Sequence, residues 1–182
     1  MKKLLVVIDY QNDFVDGTLG FEKASALEEA IYDKVNKYLK NGDKVLFTYD
    51  THYEDYLETR EGKSLPVVHC IKDTNGHQLY GKVSDFANLE NTFHYQKEGF
   101  GISPKDMIKI ANEIGEDIKG IEIVGIVTNM CVISNVVMFQ SQYRNVDIVV
   151  DGSLCASFDD ELHEKALDVI EALQVKVMNR GN

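Results

Sequence analysis

Apolar and polar positions alternate along this chain between short apolar runs and longer stretches of helical period. Leu4 to Ile8 is a continuous, β-branched-rich run ending in Asp9, the pattern of a strand buried on both faces. Tyr10 to Glu22, with Gly17 and Gly20, reads as a loop. Leu27, Ile31, Val35 and Tyr38 then recur at helical spacing, and Asn41-Gly42 closes that helix. Val45 to Tyr49 is a second strand and ends in Asp50. Thr51 to about Lys82 has little periodicity, and so long a stretch within a compact domain is usually functional. Thr92 to Tyr95 predicts a short strand leading to Lys97. Ser103-Pro104-Lys105-Asp106 carries helix-start chemistry for a helix to about Ile114. Ile121 to Val127 predicts a strand, Met130 to about Tyr143 an apolar helix, and Val146 to Val150 a strand ending in Asp151. Leu162 to Leu173 marks a last helix and Val175 to Met178 a final strand.

Strands alternating with helices of this length predict an α/β fold. The expected architecture is a single-domain three-layer α/β/α sandwich over residues 1–182, with a mainly parallel, about six-stranded sheet of Rossmann-like topology. In such sheets functional groups gather beyond the carboxyl ends of the strands. Asp9, Asp50, Lys97 and the Thr128–Cys131 turn all follow predicted strands.

Composition narrows the function. A net charge of −11 argues against nucleic acid and anionic membrane surfaces as partners. The apolar run after Met1-Lys2-Lys3 is too short for a signal peptide, and none approaches membrane-spanning length, so a cytoplasmic protein is expected. Three cysteines, Cys70, Cys131 and Cys155, with no C-x-x-C pair, disfavour a disulfide framework and leave catalysis as the special use for a thiol.

Cys131 follows a strand and falls in the first turn of a predicted helix, where a thiolate is favoured. A thiolate nucleophile needs a proton acceptor and a cation, which Asp9 and Lys97 could supply. Each residue also has a plainer reading: a small buried Cys, a turn carboxylate and a solvated charge. Asp50-Thr51-His52, followed by Glu61 and His69, offers carboxylate and imidazole ligands for Zn²⁺, Mn²⁺ or Fe²⁺. His77 and His94 read as ordinary loop or surface histidines, and His163 as solvent-facing on the last helix.

These residues match a known pattern. The pieces are Val7-Ile8-Asp9-Tyr10-Gln11-Asn12-Asp13-Phe14, Asp50-Thr51-His52, Leu65-Pro66-Val67-Val68-His69-Cys70, Thr74-x-Gly76 and Lys97. Gly125-Ile126-Val127-Thr128-Asn129-Met130-Cys131-Val132 and Asp151-Gly152-Ser153-Leu154-Cys155-Ala156-Ser157 complete the set. The chain resembles the isochorismatase-like cysteine hydrolases, and among them the nicotinamidase/pyrazinamidase branch. The resemblance implies hydrolysis of a small amide through a Cys131 thioester, with Asp9 exchanging the proton and Lys97 supporting the thiol. It implies a cis peptide at Val127-Thr128 and an oxyanion hole from the N–H groups of Val127 and Cys131. It implies a divalent metal held by Asp50, His52, His69 and Glu61, with Glu58 the rival to Glu61, and Phe14 stacked on the substrate ring. A homo-oligomer is a further possibility that relatives suggest.

Departures bear on the substrate. There is no Trp, so an aromatic wall must come from Tyr10, Tyr49 or Tyr53. Lys97 is followed by Glu98-Gly99-Phe100-Gly101 instead of a Ser-containing segment, and Asp73 stands where Gly is commoner. The alternatives are a metal-free hydrolase of another small amide, ureido or N-carbamoyl compound, and a non-catalytic module on the same fold.

Overall fold

Six parallel strands, in the order β3-β2-β1-β4-β5-β6, form one sheet in the computed structural model, which describes residues 2–115 and 117–180. They are β1 (Lys2–Ile8), β2 (Lys44–Asp50), β3 (Thr92–Lys97), β4 (Ile118–Ile126), β5 (Ile148–Ala156) and β6 (Lys176–Met178). The helices are α1 (Asn12–Val15), α2 (Glu22–Ser25), α3 (Glu28–Lys40), α4 (Arg60–Ser64), α5 (Pro104–Ile114), α6 (Ile133–Gln142) and α7 (Asp160–Ala172).

Side-chain alternation along β1 explains the layering. Leu4, Val6 and Ile8 join one core with α5, α6 and α7, through residues such as Met107, Val136, Phe139 and Leu167. Leu5 and Val7 join the opposite core with Ile31 and Val35 of α3. A strand apolar at every position therefore serves two cores, as its unbroken run implied. The helix start at Ser103 also follows its sequence: its hydroxyl accepts from the Asp106 N–H at 3.2 Å, and Pro104 opens the helix.

Strand order reverses between β1 and β4. The chain leaves β1 toward α3 on one face and leaves β4 toward α6 on the other, which opens a crevice beyond their carboxyl ends. Asp9 and Cys131 follow these two strands.

Four stretches differ from expectation, the first being Tyr10–Glu22, which reads as a loop but carries α1 at Asn12–Val15. β5 runs on through Asp151-Gly152-Ser153 to Ala156. Val150 stands opposite Ile123 but Cys155 opposite Gly125, so the polar residues occupy a bulge. Asp151 is held there by Lys34, which also reaches Glu122. The segment Thr51 to Lys82 is built from α4 and short 3₁₀ turns at Tyr56–Glu58 and Asn75–His77, too brief for a periodic signal. Cys131 lies in a wide, π-type turn, Thr128–Val132, that precedes α6, not in the first turn of an α-helix.

Candidate active site

The site is assembled by main-chain contacts before any side chain is considered. Ile8 pairs with Gly125 and Asp50 with Lys97 in the parallel register. Gly125 has φ +117°, and a Cβ there would stand 2.2 Å from the carbonyl oxygen of Ile8, so only glycine lets β4 turn against β1 at this level. After the turn, the Val127 carbonyl accepts from the N–H groups of Met130 and Val132, both at 3.1 Å. Among the described residues it takes no bond from Cys131, whose N–H an α-helix would tie there.

The cis peptide lies between Ile126 and Val127, one residue before the expected Val127-Thr128 bond. Gly125, which precedes this bond, is at φ +117°, and Val127 after it is in extended backbone. The N–H of Val127 belongs to this cis peptide.

Lys97 joins the groups that sequence placed at separate strand ends. Its Nζ lies 2.6 Å from Asp9 Oδ2, 3.4 Å from Asp50 Oδ1 and 3.7 Å from Cys131 Sγ, and donates to the Gly99 carbonyl at 3.0 Å. All four side chains are buried. Asp9 stands at φ +46°, and its Oδ1 accepts from the Thr48 hydroxyl at 2.7 Å.

Electrostatics here are a contest between burial and pairing. Burial disfavours a charged Lys97, but the carboxylates of Asp9 and Asp50 oppose it and the ammonium is held well above its ordinary range. Burial pushes the Asp9 carboxyl up, with Lys97 opposing. Burial also raises the Cys131 thiol well above its usual value, against the pull of Lys97 and with Asp9 adding to the rise. Burial therefore opposes the thiolate that a helix N-terminus would favour. Cys70 and Cys155 are free and buried, and burial likewise raises both thiols.

Asp50 links this group to a second one. Its Oδ2 lies 3.0 Å from His52 Nε2 and 3.5 Å from His69 Nε2, while Glu61 Oε1 is 3.8 Å from His52 Nε2. One donor atom from each of these four residues lies within 4.8 Å of the others, a mixed nitrogen and oxygen set that suits a divalent cation. Burial would raise the Asp50 carboxyl, but Lys97, His52 and His69 together hold it far below the carboxylate range. His52 and His69 meet because His52 N–H donates to the Cys70 carbonyl and Lys72 N–H to the His52 carbonyl. His69 Nδ1 bonds the Val67 carbonyl at 2.7 Å, which leaves Nε2 facing Asp50. Glu58, in the 3₁₀ turn, is outside this cluster.

Above the cluster is a cleft of about 460 Å³ whose walls include His52, Glu61, Tyr53, Arg60, Gly99 and Phe100. Of the three tyrosines considered for an aromatic wall, only Tyr53 lines it. Tyr10 is buried with its hydroxyl on the Ala24 carbonyl, and Tyr49 packs on His77 and His94. Phe14 is buried with its ring 5.4 Å from that of His69, and Tyr56 packs on both imidazoles.

Several supporting residues escaped the sequence reading. Gln11 accepts from the Asp50 N–H at 2.8 Å and donates to the carbonyls of Asp50 and His77, so it fixes the end of β2. Asp13 accepts from the Cys70 N–H at 2.7 Å beside His69. His77 is buried, not a surface residue: its ring bonds Thr51 Oγ1 at 2.8 Å because the Gln78–Tyr80 segment folds back onto Tyr10–Asn12. His163 is not solvent-facing either; its Nδ1 lies 2.8 Å from Thr128 Oγ1. Spacing alone cannot reveal such contacts between distant segments. The Asp-x-Gln-x-Asp-Phe run did carry a signal, since its residues reach the ion cluster, β2 and the His69 segment in turn.

The model for the isochorismatase domain matches residues 3–181. An uncharacterized isochorismatase family protein, PncA of Bacillus subtilis strain 168, is 33% identical over 177 residues, spanning 92% of this chain and 93% of the relative. The crystal structure of nicotinamidase/pyrazinamidase PncA from Bacillus subtilis superposes with a TM-score of 0.85 at 29% identity, covering 97% of this chain and 99% of that one. That of pyrazinamidase/nicotinamidase from Streptococcus mutans UA159 has a TM-score of 0.84 at 30% identity, covering 97% and 100%.

Proposed function

This chain belongs to the isochorismatase-domain family, and from that membership and the geometry of its site we propose that it is a cysteine-dependent amidohydrolase converting nicotinamide and water to nicotinate and ammonia. The observation that carries the reading is Lys97, buried among Asp9, Asp50 and Cys131 on the edge of a four-residue carboxylate–imidazole cluster. The related structures named above are of nicotinamidase and pyrazinamidase enzymes, which supports a heteroaromatic carboxamide as substrate.

The chemistry follows from the proton inventory. Asp9, its carboxyl biased upward by burial, takes the proton of the Cys131 thiol as sulfur attacks the carboxamide carbon. The N–H groups of Val127 and Cys131 are the oxyanion donors in this reading, and a donor of this kind contributes on the order of 3 kcal/mol to the barrier. The C–N bond breaks, Asp9 returns the proton to the departing ammonia, and a thioester on Cys131 remains. Water, deprotonated by Asp9, attacks the thioester carbon; the C–S bond breaks and the thiol recovers its proton. Lys97 stays charged throughout and holds Asp9 and sulfur together.

Asp50, His52, His69 and Glu61 would hold a divalent Zn, Mn or Fe ion, which supplies a Lewis-acid anchor for the pyridine nitrogen. Tyr56 and Phe14 pack on its imidazoles, and Tyr53 lines the cleft beside it.

Ammonia release from nicotinamide, pyrazinamide and a panel of aliphatic amides tests the reading. Purified protein should prefer the two heteroaromatic amides, lose activity to a chelator and regain it with metal. Cys131→Ala should fall to background; undiminished turnover in that variant would rule out the thioester route. Indifference to chelator would instead favour a metal-free hydrolase.

A further inference from the structure

Two consecutive residues of the Thr128–Val132 turn are tied by side chains to the start of α7. Thr128 Oγ1 lies 2.8 Å from His163 Nδ1. Ser157 Oγ donates to Asn129 Oδ1 at 2.7 Å and accepts from the Asp159 N–H at 3.1 Å, the residue that caps α7. Thr128 is completely buried, so among the described residues its hydroxyl has the His163 ring as its side-chain partner. His163 is mostly shielded but borders a cavity of about 260 Å³ shared with Lys23, Ser157 and Asp160. None of these groups touches Asp9, Lys97 or the carboxylate–imidazole cluster.

We propose that His163 is a positioning residue for the nucleophile: by accepting the Thr128 hydroxyl proton on Nδ1, it holds the turn in the register that sets Cys131 beside Lys97 and Asp9. The proposal rests on the reading of Cys131 as nucleophile. It depends on protonation state, because a neutral ring with its proton on Nε2 accepts at Nδ1, whereas an imidazolium can only donate there. The Thr128 oxygen would then accept from Nδ1–H, and its own proton would need another acceptor in a buried position.

Charged neighbours of the ring are Asp160 and Glu164 on its own helix, Lys23 from α2 and Arg180 after β6. Glu164 Oε1 is 3.8 Å from Nε2. Burial outweighs the two carboxylates and pushes the imidazole below its ordinary range, so it is neutral near pH 7. Acid should therefore reverse this contact, making the ring the donor and the Thr128 oxygen the acceptor.

The test compares His163→Ala, His163→Asn and Thr128→Val by two readouts. One is kcat and KM for ammonia release across pH. The other is the rate at which iodoacetamide alkylates Cys131, followed by peptide mass spectrometry that separates it from Cys70 and Cys155. His163→Ala and Thr128→Val should each lower kcat and the Cys131 alkylation rate about five- to ten-fold, as loss of one buried hydrogen bond implies, with KM nearly unchanged. The double variant should be no slower than the worse single one. An Asn amide oxygen can take the place of Nδ1 without titrating. His163→Asn should therefore recover most of the rate and extend activity to lower pH than wild type. Wild-type kcat and alkylation in His163→Ala would overturn the proposal, as would a loss that Asn does not restore. If wild-type protein releases ammonia from no amide, the proposed function fails, yet the alkylation rates still decide the role of His163.

Discussion

Replacing Lys97 with Met keeps the length of the side chain and deletes the one charge that three other groups are built around. At an effective dielectric constant of about 20, an ammonium 2.6 Å from one carboxylate and 3.4 Å from another gains roughly 6 and 5 kcal/mol of direct attraction. Much of that is cancelled in the wild type by the cost of burying the ions, so the expected net loss is about 3–5 kcal/mol, the usual result of removing one partner from a buried pair. The variant also leaves Asp9 and Asp50 facing each other without a cation. Asp9 is already pushed up by burial, and a carboxyl with a raised folded-state pKa stabilises the fold when protonated and loses that contribution as pH rises. The stability gap between Lys97→Met and wild type should therefore be widest near neutral pH and narrow as the solution is acidified. Urea unfolding between pH 5 and pH 8 measures it directly, with Cys131 alkylation on the same samples. A gap under 1 kcal/mol at neutral pH, or one that widens on acidification, would refute the account of Lys97 as the buried counter-charge.

Gly125→Ala should cost roughly 3 kcal/mol or more, because its Cβ would meet the Ile8 carbonyl at 2.2 Å in a backbone conformation that L-residues avoid. For a chain of this size that is a fall of roughly 6–12 °C in Tm by calorimetry, and an unchanged Tm would show that β4 can move away from β1. Gln11→Leu strips partners from the Asp50 N–H and from two buried carbonyls, for an expected loss of about 2–4 kcal/mol. It should also weaken zinc binding measured by titration calorimetry; wild-type affinity in that variant would separate the end of β2 from the ion cluster.

How much of this was readable beforehand depended on the range of the forces involved. β1 is plain because a strand buried on both faces is apolar along its run, β2 because only Thr48 interrupts its apolar residues, and the carboxylates that end both stand out by contrast. The Ser103-Pro104 helix start was plain because capping is a matter of adjacent residues. β5 was cut short at Asp151, since a carboxylate normally ends a buried run; only the approach of Lys34 from α3 makes it tolerable inside the sheet. The need for glycine at position 125 depends on where β1 crowds it, a contact between segments more than a hundred residues apart in the chain. The surroundings of His77 and His163 are hidden for the same reason: His77 is buried, and His163 mostly shielded, by segments folded over from elsewhere. The nearness of Asp9, Lys97 and Cys131 was anticipated through the family pattern, while spacing alone offered three separate strand ends.

The pairing of Ile8 with Gly125 and of Asp50 with Lys97 has a consequence for how such a protein can diversify. The reacting groups are anchored by backbone contacts inside the sheet, whereas the cleft walls come from Tyr53, Arg60 and Phe100 on segments outside it. Exchanges at Tyr53, Arg60 and Phe100, which leave Glu61 and the Gly99 carbonyl in place, can reshape the cleft without altering a strand register. Such a division suits laboratory evolution toward new amides: libraries confined to those three positions should retain folded, thiol-reactive protein at a far higher frequency than libraries spread over the strand ends.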